Sequence, residues 1–335
     1  MNARTFHDAR VVETADVATG IRRVVLEPPA GARRRADPGT HLDVRVEVPD
    51  GDRGVRPEVR SYSVVDSSPD GSRLALTVHL SPTSRGGSAH VHGLRPGDVL
   101  RCTGPLQNFP VRIGAERYLL IAGGVGITAL AAAARTLTRL GAHVDLVYAG
   151  RSRDRMPYLA DLQAELGERV QPAVSDEGTR LDVDALLART ARQAPGTEAY
   201  VCGPLALLDA VTHAWRRHGL PSTALRYETF GSSGRHAAQA FRVQLPALGI
   251  ETVVDPGSTV LESLQRSGAD LMYDCLKGEC GLCVLPVRRV DGVVDHRDVY
   301  LSEDQQADGG SVCVCVSRVA AGPEGREPLL VLDLP

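Results

Sequence analysis

The stretch that decides the fold of this chain is Cys275-Leu276-Lys277-Gly278-Glu279-Cys280-Gly281-Leu282-Cys283. Four residues separate the first two cysteines and two separate the next pair, which is the C-x4-C-x2-C spacing of a plant-type [2Fe-2S] cluster. Such a cluster takes four thiolates, and the two glycines let a short loop curl and direct its amides at sulfur. Zinc sites generally use C-x2-C pairs, and disulfide frameworks are typical of short secreted chains. The spacing therefore predicts an iron–sulfur site with Cys275, Cys280 and Cys283 as ligands.

Two cysteines downstream of this loop, Cys313 and Cys315, are candidates for the fourth ligand. They stand two positions apart, so on a β-strand both side chains would face the same side. A plant-type cluster needs one more thiolate at some distance after the loop. Spacing alone leaves both cysteines open.

The composition is that of an ordinary globular protein. The 335 residues suggest two or three domains, with 43% hydrophobic and 24% charged residues. A net charge of −3 and an aromatic content of 4% give no support for a nucleic-acid surface. No apolar run in the sequence is long enough for a membrane span, and residues 1–8 lack the apolar core of a signal peptide. Because the chain carries seven cysteines, four of them needed as thiolates, we expect a cytoplasmic protein.

Residues 1–112 have the pattern of an all-β domain. Short runs rich in β-branched residues are separated by turns such as Pro49-Asp50-Gly51 and Pro69-Asp70-Gly71. Many short strands with frequent Gly- and Pro-containing turns indicate a β-barrel or a sandwich. The predicted strands are residues 21–28, 41–48, 59–65, 73–80 and 98–104.

Residues 113–229 change to alternating strands and helices. The apolar run 118–122 is followed by Gly123-Gly124-Val125-Gly126-Ile127-Thr128 and then by an Ala- and Leu-rich helical stretch. Strand, glycine turn and helix form the first unit of a doubly wound parallel sheet, and this turn satisfies the Ala form of the dinucleotide fingerprint. Such a turn brings backbone amides and a helix N-terminus to a pyrophosphate. Gly123, Gly124, Gly126 and Thr128 are therefore candidate nucleotide-binding residues, and further strands are predicted at 143–149, 169–175, 198–202 and 224–228.

The second predicted strand of this region ends without the acidic residue that usually binds the adenosine ribose. Asp145 lies within the strand and is interpreted as structural. Arg151 and Arg153 stand at the strand end, where an arginine can contact a 2′-phosphate or stack on adenine. On the residues alone, the choice between NADH and NADPH stays open.

Residues 230–240 are small and polar and are predicted to be a linker. Residues 241–335 begin with a predicted hairpin, 241–245 and 251–254, followed by a helix over 259–266 that Gly268 ends. Hairpin, helix and cluster loop in this order are typical of a β-grasp ferredoxin domain of the α+β class.

The last segment resembles the ferredoxin domain of the phthalate dioxygenase reductase family, which includes the vanillate O-demethylase reductases. The shared runs are Asp295-His296-Arg297-Asp298, Tyr300-Leu301, Cys315-Val316-Ser317-Arg318 and Leu330-Val331-Leu332-Asp333-Leu334. In that family the ligand stands directly before x-Ser-Arg. The resemblance therefore implies Cys315 as the fourth ligand and Cys313 as a neighbouring thiol.

Two motifs of the first region resemble the flavin site of the ferredoxin reductase superfamily. Arg60-Ser61-Tyr62-Ser63 is similar to the Arg-x-Tyr-Ser flavin motif, although four residues alone are more typical of an ordinary strand with alternating faces. Arg85-Gly86-Gly87-Ser88 is similar to the segment that binds the flavin phosphate, and its amides and hydroxyl can cradle a phosphate. The resemblance implies a six-stranded antiparallel Greek-key barrel that binds FMN rather than FAD.

Two further motifs resemble the nicotinamide region of the same superfamily. Cys202-Gly203-Pro204 is similar to a motif that abuts the nicotinamide, and the alternative is a buried cysteine before a turn. Glu228-Thr229-Phe230-Gly231 is similar to the ending in which an aromatic ring packs on the flavin, so Phe230 is the candidate aromatic. We take Ser63, Cys202 and Glu228 as candidate catalytic residues. The family favours NADH, with NADPH as the alternative.

The three motif groups occur in the order flavin, nicotinamide nucleotide and iron–sulfur cluster. Nicotinamide releases two electrons as a hydride, a [2Fe-2S] cluster accepts one electron at a time, and a flavin can do both. We therefore expect a monomeric reductase that passes electrons from NADH through FMN and the cluster to a terminal oxygenase. A Rieske non-haem iron oxygenase or O-demethylase is the first candidate partner and a cytochrome P450 is the second. The alternative from another class is a flavin and iron–sulfur redox sensor that turns over no substrate.

Overall fold

The computed structural model of this chain describes residues 5–49, 54–82, 86–230, 236, 238–322 and 327–334. The chain forms two compact units, Met1–Glu228 and Thr229–Pro335. The boundary between these units lies one residue before the predicted start of the linker. The predicted division of the sequence into residues 1–112, 113–229, a linker 230–240 and 241–335 stays a prediction.

The first part of the first unit is an antiparallel β-barrel. Its described strands are connected in the order β4-β5-β2-β1-β6-β3-β7, and pairing between β3 and β4 closes the barrel. Six strands complete the circle, and the short β7 attaches to β3. The predicted six-stranded Greek-key barrel is thereby confirmed. The elements are β1 Phe6–Ala18, β2 Ile21–Glu27, β3 Thr40–Pro49, β4 Val55–Ser67, β5 Leu74–His79, α1 Gly87–Gly93, β6 Val99–Thr103 and β7 Leu106–Gln107.

Strand β1 was not among the strands expected from the sequence. Its pairing with β2 contains two register shifts, between Val11 and Glu13 and between Asp16 and Ala18. Such irregularities break the period-2 alternation by which a half-buried strand is identified. Only Ala9 and Val11 of this strand are buried hydrophobic residues. The strand therefore carries little hydrophobic signal of its own.

The second part of the first unit is a parallel sheet with the strand order β10-β9-β8-β11-β12. All four neighbouring pairs are parallel, and the order reverses between β8 and β11. This strand order confirms the predicted doubly wound fold. Ligands of such sheets bind at the carboxyl ends of the strands, where the order reverses. The elements are β8 Arg117–Gly123, α2 Ile127–Arg139, β9 His143–Gly150, α3 Leu159–Leu166, β10 Val170–Val174, α4 Val183–Gln193, β11 Glu198–Cys202, α5 Leu205–Arg217 and β12 Leu225–Glu228.

The barrel and the parallel sheet of the first unit share one hydrophobic core. Val65 and Ala75 of the barrel belong to the same buried cluster as Leu130 of α2. The hydroxyls of Thr77 and Tyr158 lie 2.5 Å apart and also join the two parts. Because burial of apolar surface is the main stabilising contribution, the two parts of this unit depend on each other for stability.

The second unit is a β-grasp domain with the strand order β14-β13-β19-β15-β17. Strands β13 and β19 are parallel, while the other neighbours are antiparallel, and β16 pairs with β18 in a separate ribbon. This confirms the predicted α+β ferredoxin fold. The elements are β13 Phe241–Leu245, β14 Ile250–Val254, α6 Val260–Arg266, β15 Val284–Asp291, β16 Val293–Asp295, α7 Glu303–Asp308, β17 Ser311–Cys313, β18 Arg318–Ala320 and β19 Leu329–Leu332.

Helix α6 begins where the sequence predicts. Thr259 is its N-cap and accepts a hydrogen bond from the Glu262 amide, while the Glu262 carboxylate accepts one from the Thr259 amide. This reciprocal capping box satisfies two of the amide donors that a helix start otherwise leaves free. The helix therefore holds the chain firmly just before the cluster loop.

Arg318 ties together the segments at one end of the second unit. Its buried guanidinium donates hydrogen bonds to the carbonyls of Ser258, Gln239 (2.9 Å) and Asp255 (3.0 Å). It also lies 5.1 Å above the ring centroid of Phe241. The family motif Ser317-Arg318 thus has a structural role in this fold.

Among the described helices, none is long and apolar enough to cross a lipid bilayer.

We predict that Arg318→Met lowers the free energy of unfolding by about 3 kcal/mol, because it leaves buried carbonyls without a donor. Chemical denaturation followed by circular dichroism measures this change. Arg288→Met is the matched control, since the Arg288 side chain is 57% exposed and forms a surface salt bridge with Asp333. Equal destabilisation by the two variants would contradict the role assigned to Arg318.

Candidate cofactor sites

The cysteines of the cluster loop converge with Cys315 in the second unit. Cys275, Cys280 and Cys283 lie between α6 and β15, and Cys315 follows β17. The Cys315 thiol is hydrogen-bonded to both Cys275 and Cys283, and Cys275 also contacts Cys280. The structure therefore brings all four predicted ligands into one contact group.

Hydrogen bonds favour the thiolate form of two of these cysteines. The Cys315 thiol and the amides of Lys277 and Glu279 lower the pKa of Cys275 to about 4, against the opposite effect of burial. Both amides lie 3.4 Å from the Cys275 Sγ atom. The pKa of Cys283 is lowered to about 3, chiefly by hydrogen bonds from Cys313 and Cys315. Because the thiolate is the form that binds metal, this donor set suits iron.

The arrangement differs from a site for a single metal ion. Among the described residues, no group of three or more His, Cys, Asp or Glu side chains is placed to hold one ion. A [2Fe-2S] cluster has two irons that share four thiolates, so it does not require three side chains around one point. The four-thiol group is compatible with a cluster of this type.

Cys313 lies beside this group and has different contacts. It is buried, contacts Cys283 and interacts with Asp298. Hydrogen bonds to neighbouring cysteines and burial raise the pKa of both Cys313 and Cys315, so acidity does not distinguish the two. Cys315 instead contacts two predicted ligands, Cys275 and Cys283. This difference supports Cys315 as the fourth ligand, in agreement with the family resemblance.

The curled loop depends on two glycines with positive φ, Gly278 at 75° and Gly281 at 77°. A Cβ atom on Gly281 would lie 2.2 Å from the ring of Tyr300. The side chain of Tyr300 therefore packs directly on the loop, and any residue larger than glycine at position 281 would displace it. The sequence predicted the curl, whereas the packing of Tyr300 required the fold.

The motif Asp295-His296-Arg297-Asp298 lies next to the cluster loop, residues 275–283. The Asp298 carboxylate accepts hydrogen bonds from the Leu301 amide (2.9 Å) and the Ser317 hydroxyl (3.0 Å). The Val299 amide donates to the Gly278 carbonyl at 3.0 Å. The segment that begins with this motif is thus hydrogen-bonded to the loop at Gly278.

In the first unit, Arg60 lies beside the glycine turn of the second flavin motif. A Cβ atom on Gly87 would lie 3.0 Å from the Arg60 Cγ atom. The two motifs therefore meet, as a site for a flavin phosphate requires. Ser88 accepts a hydrogen bond from the Ser81 amide at 3.3 Å, and Gly86 lies in the same turn. Arg85 lies outside the described residues.

The sequence did not indicate that Arg60 has an anionic partner. Glu58 forms ion pairs with both Arg56 and Arg60. Glu58 opposes Val46 across the β3–β4 pair, so these charged side chains lie on the same face as the barrel valines. Charged residues at every second position of a strand, facing a core, are costly unless they are paired. This alternation of Arg56, Glu58 and Arg60 is a signal that sequence reasoning could have used.

The remaining residues of the Arg-x-Tyr-Ser motif have distinct partners. Ser61 donates a hydrogen bond of 2.6 Å to the fully buried carboxylate of Asp43, so its hydroxyl serves the protein interior. Burial raises the pKa of Tyr62 to about 12. Ser63 donates to the Glu228 carboxylate at 3.3 Å, across 165 residues of sequence.

The three candidate catalytic residues converge at the strand ends. Cys202 of β11 is in register with Glu228 of β12, and Glu228 accepts the hydrogen bond from Ser63. All three are buried. The structure therefore brings the hydroxyl of Ser63 to the Glu228 carboxylate, on the strand next to Cys202.

The nucleotide turn is closely packed against the next strand. A Cβ atom on Gly126 would lie 2.2 Å from the Cys202 carbonyl oxygen, and one on Gly203 would lie 3.0 Å from Gly123. Gly126 of the fingerprint, and Gly123 just before it, thus permit the strand ends to approach each other, while Gly124 has a positive φ and open space. The Thr128 hydroxyl donates to the Val125 carbonyl at 2.9 Å, within its own turn. Pro204 directly precedes α5.

Both arginines at the end of β9 face acidic residues that follow β10. Arg153 forms a two-point ion pair with Glu177, with distances of 2.7 and 3.0 Å. Arg151 is 78% exposed, and its guanidinium lies 3.8 Å from Asp176. Exposed ion pairs contribute little stability, so an incoming phosphate can compete with these carboxylates. The sequence did not reveal this pairing.

Phe230, the predicted flavin-packing aromatic, follows Thr229 near the start of the second unit and is 37% exposed. Because part of its ring is exposed, the side chain is accessible to a ligand.

Comparison with known proteins identifies the family of this chain. Residues 245–320 match the family of 2Fe-2S iron-sulfur cluster binding domains. The chain is 34% identical over 335 residues to tetrachlorobenzoquinone reductase of Sphingobium chlorophenolicum, covering 98% of each protein. Its fold superposes on the solved structure of phthalate dioxygenase reductase with a TM-score of 0.74, 27% identity and 98% coverage of both chains. The chain belongs to the phthalate dioxygenase reductase family.

As a phthalate dioxygenase reductase-type protein, the chain is an NAD(P)H-dependent oxidoreductase with a flavin and a [2Fe-2S] cluster. It is also similar to part of an intact type IV self-sufficient cytochrome P450 monooxygenase. That match has a TM-score of 0.65 and 32% identity, and it covers 98% of this chain and 41% of the other. The residues assigned to each cofactor remain our proposal.

We predict that Cys315→Ser loses or strongly perturbs the cluster, because a harder oxygen ligand suits iron–sulfur chemistry poorly. Iron content and the EPR signal of the reduced protein measure the effect. NADH should still reduce the flavin, since that step precedes the cluster. Cys313→Ser is the matched control and should retain both iron and signal. Reversed results would place the ligand at Cys313.

We predict that Glu177→Gln raises the kcat/KM ratio of NADPH to NADH by up to about fivefold, because it frees Arg153 and removes only an exposed ion pair. Steady-state kinetics with both nucleotides measures this ratio. Asp184→Asn is the control, since Asp184 is an exposed acid that pairs with Arg217 instead. An unchanged ratio in Glu177→Gln would show that Arg153 lies away from the 2′-phosphate.

Proposed function

We propose that this reductase accepts a hydride from NADH at FMN and delivers single electrons through its [2Fe-2S] cluster to a Rieske non-haem iron oxygenase. The observation that carries this proposal is the four-thiol group of Cys275, Cys280, Cys283 and Cys315 in a chain that also has a flavin barrel and a nucleotide sheet. The cluster only carries electrons and converts no substrate. It therefore needs an electron acceptor such as a Rieske oxygenase.

The flavin converts a two-electron hydride into single electrons when it is bound. In the protein, Arg60 and the Gly86-Gly87-Ser88 turn would hold its phosphate, and Ser63 would face its reactive edge. Glu228 holds the Ser63 hydroxyl by its hydrogen bond, and Cys202 is in register with Glu228. These side chains would orient the nicotinamide and exclude water, because all three are buried.

The proposed preference for FMN depends on how the cations are arranged. Arg60 carries its charge next to Gly87, and Glu58 holds it together with Arg56. A terminal phosphate monoester suits Arg60 in this position, because arginine prefers planar, two-point contacts with phosphate. Family membership supports the same flavin.

The similar proteins support an oxygenase as the acceptor. The superposed structure is a reductase of phthalate dioxygenase. A cytochrome P450 is the second candidate, because the chain also matches part of a self-sufficient P450 monooxygenase. The similarity to a tetrachlorobenzoquinone reductase makes a quinone a third acceptor to test.

A cytoplasmic monomer fits this role. All seven cysteines lie in the described residues and none forms a disulfide there, which suits a reducing compartment. Size-exclusion chromatography coupled to light scattering tests the monomer, and fractionation of the source cells tests the location.

We predict that denatured protein releases FMN, at close to one equivalent per chain, and that Arg60→Ala weakens FMN binding by tenfold or more, as expected for lost hydrogen bonds to a charged group. Liquid chromatography of the released flavin and fluorescence titration of the flavin-free protein measure these outcomes. Arg95→Ala is the control, because Arg95 is an exposed residue outside both flavin motifs. Release of FAD would contradict the assignment.

The acceptor is tested with the purified holoprotein and NADH under anaerobic conditions. A Rieske oxygenase from the same source should be reduced, as seen from its absorbance and EPR spectra, and Cys315→Ser should prevent this transfer. Preferential reduction of a P450 or of a chlorinated benzoquinone would identify the second or third candidate. Absence of transfer to any acceptor, despite a reducible cluster, would favour a redox sensor.

A further inference from the structure

Thr229, the first residue of the second unit, is bound to the cluster loop. It is buried, with 2% of its surface exposed. Its amide donates a hydrogen bond of 2.7 Å to the Glu279 carboxylate. Its hydroxyl lies 2.7 Å from the same carboxylate oxygen and 3.1 Å from the Lys277 carbonyl oxygen. A hydroxyl has one proton to donate, so these two acceptors share it.

The two loop residues that Thr229 holds are the ones that donate to the Cys275 sulfur. The amides of Lys277 and Glu279 each lie 3.4 Å from the Sγ atom. Peptide units are planar. The carbonyl of Lys277 belongs to the unit between residues 277 and 278, which lies between the two units that carry these amides. Holding this carbonyl, together with the Glu279 side chain, restricts the rotation of both donors.

We propose that Thr229 is a positioning residue that sets the reduction potential of the cluster through the two amide hydrogen bonds to Cys275. This inference rests on the proposed function, since it requires Cys275 to bind the cluster. Hydrogen bonds to cluster sulfurs are one of the determinants of the potential. They stabilise the reduced cluster, which carries more negative charge, and so they raise the potential.

The position of Thr229 in the chain gives this contact a second consequence. Thr229 is covalently joined to Glu228, a candidate catalytic residue, and to Phe230, the candidate flavin-packing aromatic. The hydrogen bonds that hold the cluster loop are therefore made by the residue that stands between these two candidates in the sequence. A residue that only anchored the chain would affect stability and leave the potential unchanged.

The test compares Thr229→Val with Thr229→Ser in the cofactor-loaded protein. Valine has nearly the same shape as threonine but no hydroxyl, whereas serine retains the hydroxyl and loses only the methyl group. We expect the valine variant to shift the cluster equilibrium toward the oxidised form by about threefold. This corresponds to a midpoint potential about 28 mV more negative, at 59 mV per tenfold for a one-electron couple. The serine variant should match the wild type.

Redox titration followed by EPR measures the potentials, and the g-values of the reduced cluster should change with the valine variant alone. Iron content and thermal unfolding are measured on the same samples. An unchanged potential and spectrum in Thr229→Val, with iron retained, would overturn the inference. If the valine variant fails to retain iron, the serine variant decides: retention by serine supports a requirement for the hydroxyl, and loss by serine overturns it.

Failure of this inference can be separated from failure of the proposed function. Wild-type protein without a reducible [2Fe-2S] signal would refute the function itself. Wild-type protein with that signal, and the same potential in both Thr229 variants, would refute only the role of Thr229.

Discussion

The second unit is governed by the need to hold thiolates in a buried place. Cys275, Cys283 and Cys315 are all buried, and an unpaired buried anion is costly. Amide donors and neighbouring thiols supply the compensation. These donors are in place only because the loop is curled by glycines, covered by Tyr300 and supported by Asp298. Removal of any of these supports would leave the sulfur atoms without their partners.

The first unit depends on the close approach of the ends of β11 and β12 to the glycine turn after β8 and to Ser63 of β4. The backbone of Cys202 approaches Gly126 so closely that no side chain fits between them. The same approach places Cys202 in register with Glu228, and Glu228 accepts a hydrogen bond from Ser63 of the barrel. The shared core of barrel and sheet keeps this arrangement in place.

Two of the arginines predicted to bind phosphate, Arg60 and Arg153, form ion pairs with acidic residues. Glu58 pairs with Arg60, and Glu177 pairs with Arg153. Pairing holds a flexible arginine in a defined position, which lowers the entropy lost when a ligand binds. It also means that a phosphate must replace a carboxylate. The partly buried pair at Arg60 and the exposed pair at Arg153 should differ in how readily this happens, because solvent screens the exposed pair.

The sequence by itself determined the local features. Strand β11 and helix α6 lie where the sequence pattern predicted them, since propensity acts over a few residues. The loop spacing and the downstream cysteines likewise indicated the cluster. The bulged strand β1 was missed, because its alternation is broken. Only the tertiary structure decided three contacts. Cys315 contacts two of the predicted ligands, Ser61 is hydrogen-bonded to Asp43, and Thr229 is hydrogen-bonded to the cluster loop. These partners lie far apart in sequence, so their contacts arise only when strands and loops pack together.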